Sequence, residues 1–180
     1  MAPDAAALRL LTQTLDQSKS TVGETMSEYT ATVRWHRGND EKYVDNKYSR
    51  GHEWSFDGGV TIAASSSPQV VPLPYSVESN VDPEEAFVAS LSSCHMLFFL
   101  SIAAHRKFIV DEYVDNAIGV MGKDSDGKIS MTKVTLHQRV KFSGENKPTL
   151  EQLEEMHHQS HEQCFIANSV KTEVVTEIIA

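Results

Sequence analysis

Two cysteines and a group of histidines are the residues of this 180-residue chain best suited to chemistry. Cys94 sits in the middle of a long apolar stretch, and Cys164 lies far downstream. His157, His161 and Cys164 are spaced by four and three, so on a helix their side chains share one face, with His158 nearby. Thiolate and imidazole are ligands that zinc prefers, so a metal site is one reading of this cluster. No CxxC or HExxH accompanies it, and Cys94 or His95 would have to complete the ligand set. A His-rich helix surface without metal is the plainer reading. The other chemistry is redox. A thiolate attacks the O–O bond of a peroxide, and the sulfenic acid condenses with a second thiol to a disulfide that a reductant reopens. That plan needs a cation beside the first thiol, a second thiol within bonding reach, and donors for the leaving oxygen, for which an arginine fork is well shaped. Each cysteine falls on a different predicted helix, and the sequence alone does not show that they meet.

The element that positions Cys94 is the stretch 81–107, VDPEEAFVASLSSCHMLFFLSIAAHRK. Asp82 is a helix cap, Pro83 suits the first helical position, and Glu84 and Glu85 oppose the positive end of the helix dipole. From 86 to 104 the run is mostly apolar on all sides and carries no Gly, Pro or formal charge, which predicts a buried central helix. It is also about long enough to cross a bilayer, but Ser90, Ser92, Ser93, His95 and Ser101 favour a helix wrapped by a sheet. A thiol at such a place can also be a plain core residue.

Before it, residues 29–35, 43–48, 52–56 and 60–63 read as strands, with turns at 37–40 and 57–59. A long loop, 65–80, follows, of a length that suggests function or a lid. After it, 108–121 reads as a strand, 124–127 as a hairpin turn and 129–142 as a strand. In that last strand Val134, Leu136, Val140 and Phe142 alternate with Thr135, His137, Arg139 and Lys141. A helix from 148 to about 164 and a strand over 170–179 close the chain. The fold class is α+β, with mostly antiparallel sheets around the central helix. Residues 26–180 form one domain. Residues 1–25 are an extension with a helix candidate at 5–15, where Leu8, Leu11 and Leu15 recur at helical spacing.

Composition excludes several classes. A net charge of -9 offers no basic surplus for nucleic acid or an anionic membrane surface. Two cysteines do not make a disulfide-rich secreted scaffold, and no basic segment leads into an apolar core at the start of the chain. A reducing cytoplasm is the expected compartment.

The run Asp82-Pro83-Glu84-Glu85-Ala86-Phe87, followed by Ser92-Ser93-Cys94-His95, resembles the first cysteine stretch of the family of osmotically induced protein C and organic hydroperoxide resistance proteins (OsmC/Ohr). His161-Glu162-Gln163-Cys164, with Asn168-Ser169-Val170-Lys171, is similar to that family's second one. Phe165 stands where the family usually has Pro, and His95 where many members have Phe, which suggests a divergent branch. The resemblance, over about residues 29–175, implies a peroxidase acting on organic or lipid hydroperoxides as an intertwined homodimer with two sites near the subunit interface. It implies no metal or bound cofactor and an external dithiol reductant. Cys94 would be the peroxidatic cysteine and Cys164 the resolving one. Arg50 would hold the Cys94 thiolate and polarise the peroxide, with Glu84 orienting Arg50; Arg37 is the second candidate for the arginine. His95 and His161 could tune the thiols. Phe87, Met96, Leu97, Phe98 and Phe99 would supply apolar walls. On an ideal helix, Glu84 lies roughly 15 Å along the axis from Cys94, so a long Arg would have to bridge them, or the helix be broken or supplemented by the other subunit. Two alternatives stay open at this level: a non-catalytic protein that binds a metal or ligand through its Cys and His clusters, and a structural dimer with inert core thiols.

Overall fold

The computed structural model describes residues 27–179. The helix candidate at 5–15 lies outside them. Strands β1 (Ala31–Arg34), β2 (His52–Phe56) and β3 (Thr61–Ala64) form a small antiparallel sheet in that order. The residues between β1 and β2, expected to hold a strand at 43–48, form turns instead. Helix α1 (Pro83–His105) follows, then β4 (Ile109–Asp115), β5 (Ile118–Lys123), β6 (Ile129–Ser143), helix α2 (Leu150–Gln163), a 3-10 turn at Ala167–Ser169 and β7 (Glu173–Ile178). The architecture is α+β, as the order of elements predicts.

β6 organises the larger sheet. Its second half pairs with β4 and its first half with β5, both antiparallel, while β7 runs parallel to its middle. The register continues from Asp115↔Gln138 to Ile118↔Thr135. β4 and β5 are therefore one predicted strand interrupted at Asn116 and Ala117. The interruption has a local cause. One carboxylate oxygen of Asp115 accepts from the His137 backbone N–H (2.7 Å), and the other accepts from Ser92 on α1 (2.5 Å). The ladder opens there and the sheet is tied to the helix.

Helix α1 starts as its sequence dictates. Asp82 accepts from the Glu85 N–H (2.7 Å), and the Glu85 carboxylate accepts from the Asp82 N–H (3.2 Å). Its buried residues are Leu91, His95, Phe99 and Ala103, one every four positions. Leu91 packs on Val134 and Leu136 of β6, and Phe99 and Ala103 pack on Phe108 and Met156. Each such large side chain fully buried contributes about 1.5–3 kcal/mol. The helix is long and apolar enough to cross a membrane, yet it packs against α2 and the larger sheet. It is not buried all round, which corrects the expectation: Leu97 is 61% exposed. One chain covers a single stripe of a helix that is apolar on every side.

The loop expected at 65–80 is stitched down rather than poised as a lid. The buried Ser65 hydroxyl accepts from the Val77 N–H (2.9 Å), Asn80 donates to the Ala64 carbonyl (3.2 Å), and the Arg50 N–H donates to the Tyr75 carbonyl (2.8 Å).

β5 approaches α1 so closely that only a glycine fits at Gly119. A Cβ there would stand 2.6 Å from Val88 Cγ2 and 2.7 Å from Met131 Sδ. Gly119→Ala is expected to cost about 1–3 kcal/mol through overpacking, lowering the melting temperature by about 2–4 °C per kcal/mol at this size. A calorimetric scan reads it directly.

Candidate functional site

The two cysteines arrive from α1 and from the residue that ends α2. Cys94 lies midway along α1, half-buried, and Cys164 caps α2, fully buried. The two thiols are neighbours, close enough for Cys94 to perturb Cys164. Burial pushes the Cys164 thiol up to about 11, against the pull of the Ala167 N–H, which donates to its Sγ at 3.4 Å; the neighbouring Cys94 raises it further. At neutral pH Cys164 is a protonated thiol. Cys94 is the less buried of the two residues. Phe98 meets Phe165 edge-on beside the pair, with ring centroids 5.1 Å apart.

Further into the same α1–α2 interface lies a pair not foreseen from the sequence. His95 Nε2 and His157 Nδ1 are 3.0 Å apart, both rings about 99% buried, and His157 stacks on Phe99 at 4.4 Å. Burial lowers His95 to about 3, helped by its neighbours His157 and His161, and burial lowers His157 to about 4. Both rings are neutral at physiological pH. The outer nitrogens, His95 Nδ1 and His157 Nε2, have no partner among the described residues, nor do the Tyr113 hydroxyl and the Gln138 amide close by. The predicted face of His157, His161 and Cys164 thus turns inward, and His157 spends one nitrogen on His95. Exposed His158 pairs instead with Glu162 (3.4 Å). Among the described residues no group of three or more His, Cys, Asp or Glu side chains is arranged to hold a metal ion.

Arg50 is elsewhere. Its guanidinium donates to the Asn46 carbonyl (3.1 Å), the Asn46 side-chain oxygen (2.7 Å) and the Tyr48 carbonyl, and lies 3.7 Å from the centroid of the Tyr48 ring. Its own carbonyl accepts from His52 Nδ1 (2.8 Å), while His52 Nε2 accepts from Trp54 Nε1 (2.9 Å). A carbonyl only accepts and an indole only donates, so His52 is neutral with its proton on Nδ1. Arg50 lines a cavity of about 380 Å³ together with Trp35, Tyr43, Tyr48, His52 and Glu84. Neither cysteine lines it.

The expected contacts Arg50–Cys94 and Glu84–Arg50 are therefore not made within one chain. No ion pair joins Arg50 and Glu84 among the described residues. α1 is unbroken from Pro83 to His105, so Glu84 and Cys94 of one chain remain roughly 15 Å apart along its axis. Arg37 is exposed and donates to the Glu41 carbonyl (2.5 Å). Of the expected apolar walls, Phe99 is fully buried in the core and Met96 lines a separate cleft of about 1030 Å³ along α1. The grouping of aromatic residues around Arg50 was not foreseen, because Tyr43 and Tyr48, read as strand residues, lie outside the strands.

The family model described as OsmC-like protein matches residues 77–179. A solved OsmC-like protein of unknown function from Vibrio cholerae is 66% identical, with a TM-score of 0.85, covering 86% of this chain and 100% of that one. An organic hydroperoxide resistance protein from Elizabethkingia anophelis is 16% identical, with a TM-score of 0.61, covering 86% and 96%. OhrB of Bacillus subtilis, another organic hydroperoxide resistance protein, is 18% identical, with a TM-score of 0.61, covering 85% and 98%. The search of curated proteins gives no match.

The imidazole pair makes stability sensitive to acid. Both folded-state pKa values lie below the ordinary histidine value, so the contribution is complete above about pH 6.5 and is lost as pH falls toward 4. Chemical denaturation between pH 7 and 4.5 should show this loss, approaching about 1.4 kcal/mol per pH unit for each proton taken up on unfolding. A His95→Leu/His157→Leu variant should show a shallower slope, and an unchanged slope would reject the assignment.

Proposed function

We propose that this chain, which belongs to the OsmC-like family, is a thiol-dependent peroxidase that reduces organic hydroperoxides. The observation that carries the reading is a half-buried Cys94 placed as the neighbour of a buried, protonated Cys164. The names of two structural relatives, both organic hydroperoxide resistance proteins, point the same way.

In this mechanism the Cys94 thiolate attacks the terminal oxygen of ROOH. The O–O bond breaks, the alkoxide takes a proton and leaves as ROH, and sulfur carries the hydroxyl as a sulfenic acid. Cys164 then attacks the Cys94 sulfur. The S–O bond breaks, hydroxide leaves with the Cys164 proton as water, and a Cys94–Cys164 disulfide forms. A dithiol reductant of the cytoplasm reopens it and is itself oxidised to a disulfide. No metal or bound cofactor takes part.

Arg50 and Glu84 enter through a second copy of the chain. α1 keeps Glu84 away from Cys94 of its own chain, and β1 is exposed along its whole length, with Val33 65% exposed. In a homodimer, the arginine and glutamate of one copy serve the sulfur of the other, holding it as thiolate and stabilising the departing oxygen.

Cys94→Ser is expected to abolish hydroperoxide consumption. Cys164→Ser should complete one turnover and stop at a sulfenic acid that dimedone traps. Mass spectrometry after cumene hydroperoxide should find the Cys94–Cys164 bond. Full activity in Cys94→Ser, or inert thiols with a stoichiometric bound metal, would overturn the reading. Sharing between copies has its own test. Cys94→Ser and Arg50→Ala chains, each inactive and refolded together, should recover about a quarter of wild-type activity, since half the dimers hold one intact site of two.

A further inference from the structure

A buried pair of imidazoles is a poor way to fill a core. Each neutral ring has one N–H and one acceptor nitrogen, so a single bond between His95 and His157 satisfies two of the four nitrogens. Whichever ring donates, one outer nitrogen is left as a buried N–H and the other as a buried lone pair, and neither has a partner among the described residues. Such orphans cost stability, and two apolar side chains of similar shape would fill the space without them. The pair therefore calls for a reason other than burial.

Its place in the fold supplies one. His95 is the chain neighbour of Cys94 on α1, and His157 lies two turns before Cys164 on α2. The centre of the α1–α2 contact is otherwise apolar, with Phe99 and Ala103 against Met156. Apolar attraction has no direction, whereas a hydrogen bond of 3.0 Å between two ring nitrogens demands one geometry. A second side-chain bond, from half-buried Arg106 to Gln159 (3.0 Å), lies at the C-terminal end of α1, away from Cys94. Register matters to the sulfurs. A slip of one residue moves the end of α2 by about 1.5 Å and turns it by about 100°, while a disulfide needs its sulfurs about 2.05 Å apart. From this we infer that His95 and His157 are positioning residues: their bond locks α1 against α2 in the register that lets Cys94 and Cys164 join. The inference rests on the peroxidase reading for its purpose, because it concerns the step in which the disulfide forms, but its test needs no peroxide.

The full chain, reduced, is equilibrated in glutathione buffers of rising disulfide-to-thiol ratio. The protein dithiol and one glutathione disulfide give the Cys94–Cys164 bond and two glutathione thiols. Mass spectrometry after acid quenching and alkylation counts the bond. In His95→Leu/His157→Leu the equilibrium constant for bond formation should fall about tenfold, a rise of about 30 mV in potential. In His95→Gln/His157→Asn it should stay close to the wild-type value, because the glutamine amide stands where Nε2 stood and the asparagine amide where Nδ1 stood. If the leucine pair does not fold, two single variants take its place. His157→Gln, whose amide reaches past the Nδ1 position, should show the loss that His157→Asn escapes. A leucine variant with the wild-type constant, amide variants that lose as much as their counterparts, or a wild type that forms no Cys94–Cys164 bond in any buffer overturns the inference. A wild type that forms the bond here but leaves cumene hydroperoxide untouched sinks the peroxidase reading and leaves the positioning role standing.

Discussion

The constraint on which the structure depends is the length and continuity of α1. A helix of 23 residues, capped at Asp82 and free of breaks, sets fixed distances along its axis. It holds Cys94 over the end of α2, where Cys164 waits, and holds Glu84 two to three turns away beside Arg50. The chemistry is thereby split in two. One half is a sulfur pair at the α1–α2 interface, and the other is an arginine–glutamate cavity beside the small sheet. The same helix is apolar on every side, and its own chain covers only the stripe Leu91, His95, Phe99 and Ala103. The rest of its apolar surface, Leu97 among it, is left exposed by this chain among the described residues.

Charge explains why the sulfur half is arranged as it is. Three buried groups here are neutral at neutral pH: the Cys164 thiol keeps its proton, and His95 and His157 are both unprotonated. Moving a charge into such surroundings is costly, so a buried thiolate cannot persist before it is needed. A resolving thiol benefits from that reserve, because a protonated sulfur does not compete for peroxide. Cys94 lies nearer the surface. Tyr113 fits the pattern, its phenol pushed well up by burial first and by the nearby Asp115 second.

Much of this was legible in the sequence, and the exceptions have physical causes. Asp82 through Glu85 announced the helix start, and the alternation through Val134, Leu136, Val140 and Phe142 announced the inward face of β6. Gln138 interrupts that inward row, and it is buried with its amide unpartnered. The break at Asn116 was not legible, since it depends on Asp115 finding Ser92 and His137 across the fold. Nor was the His95–His157 bond. Helical spacing placed His157 with His161 and Cys164, but spacing gives a face and not the partner it meets. Arg50 was expected from the family resemblance, whereas its partners Asn46 and Tyr48 belong to turns that read as a strand. Aromatic residues such as Tyr43 and Tyr48 favour both settings, so propensity alone points the wrong way there.

The two halves of the site also carry different kinds of information. A thiol pair with a buried partner recognises an O–O bond and little else, because attack on oxygen makes few demands on the rest of the molecule. Selection among peroxides then has to come from surfaces that touch the tail.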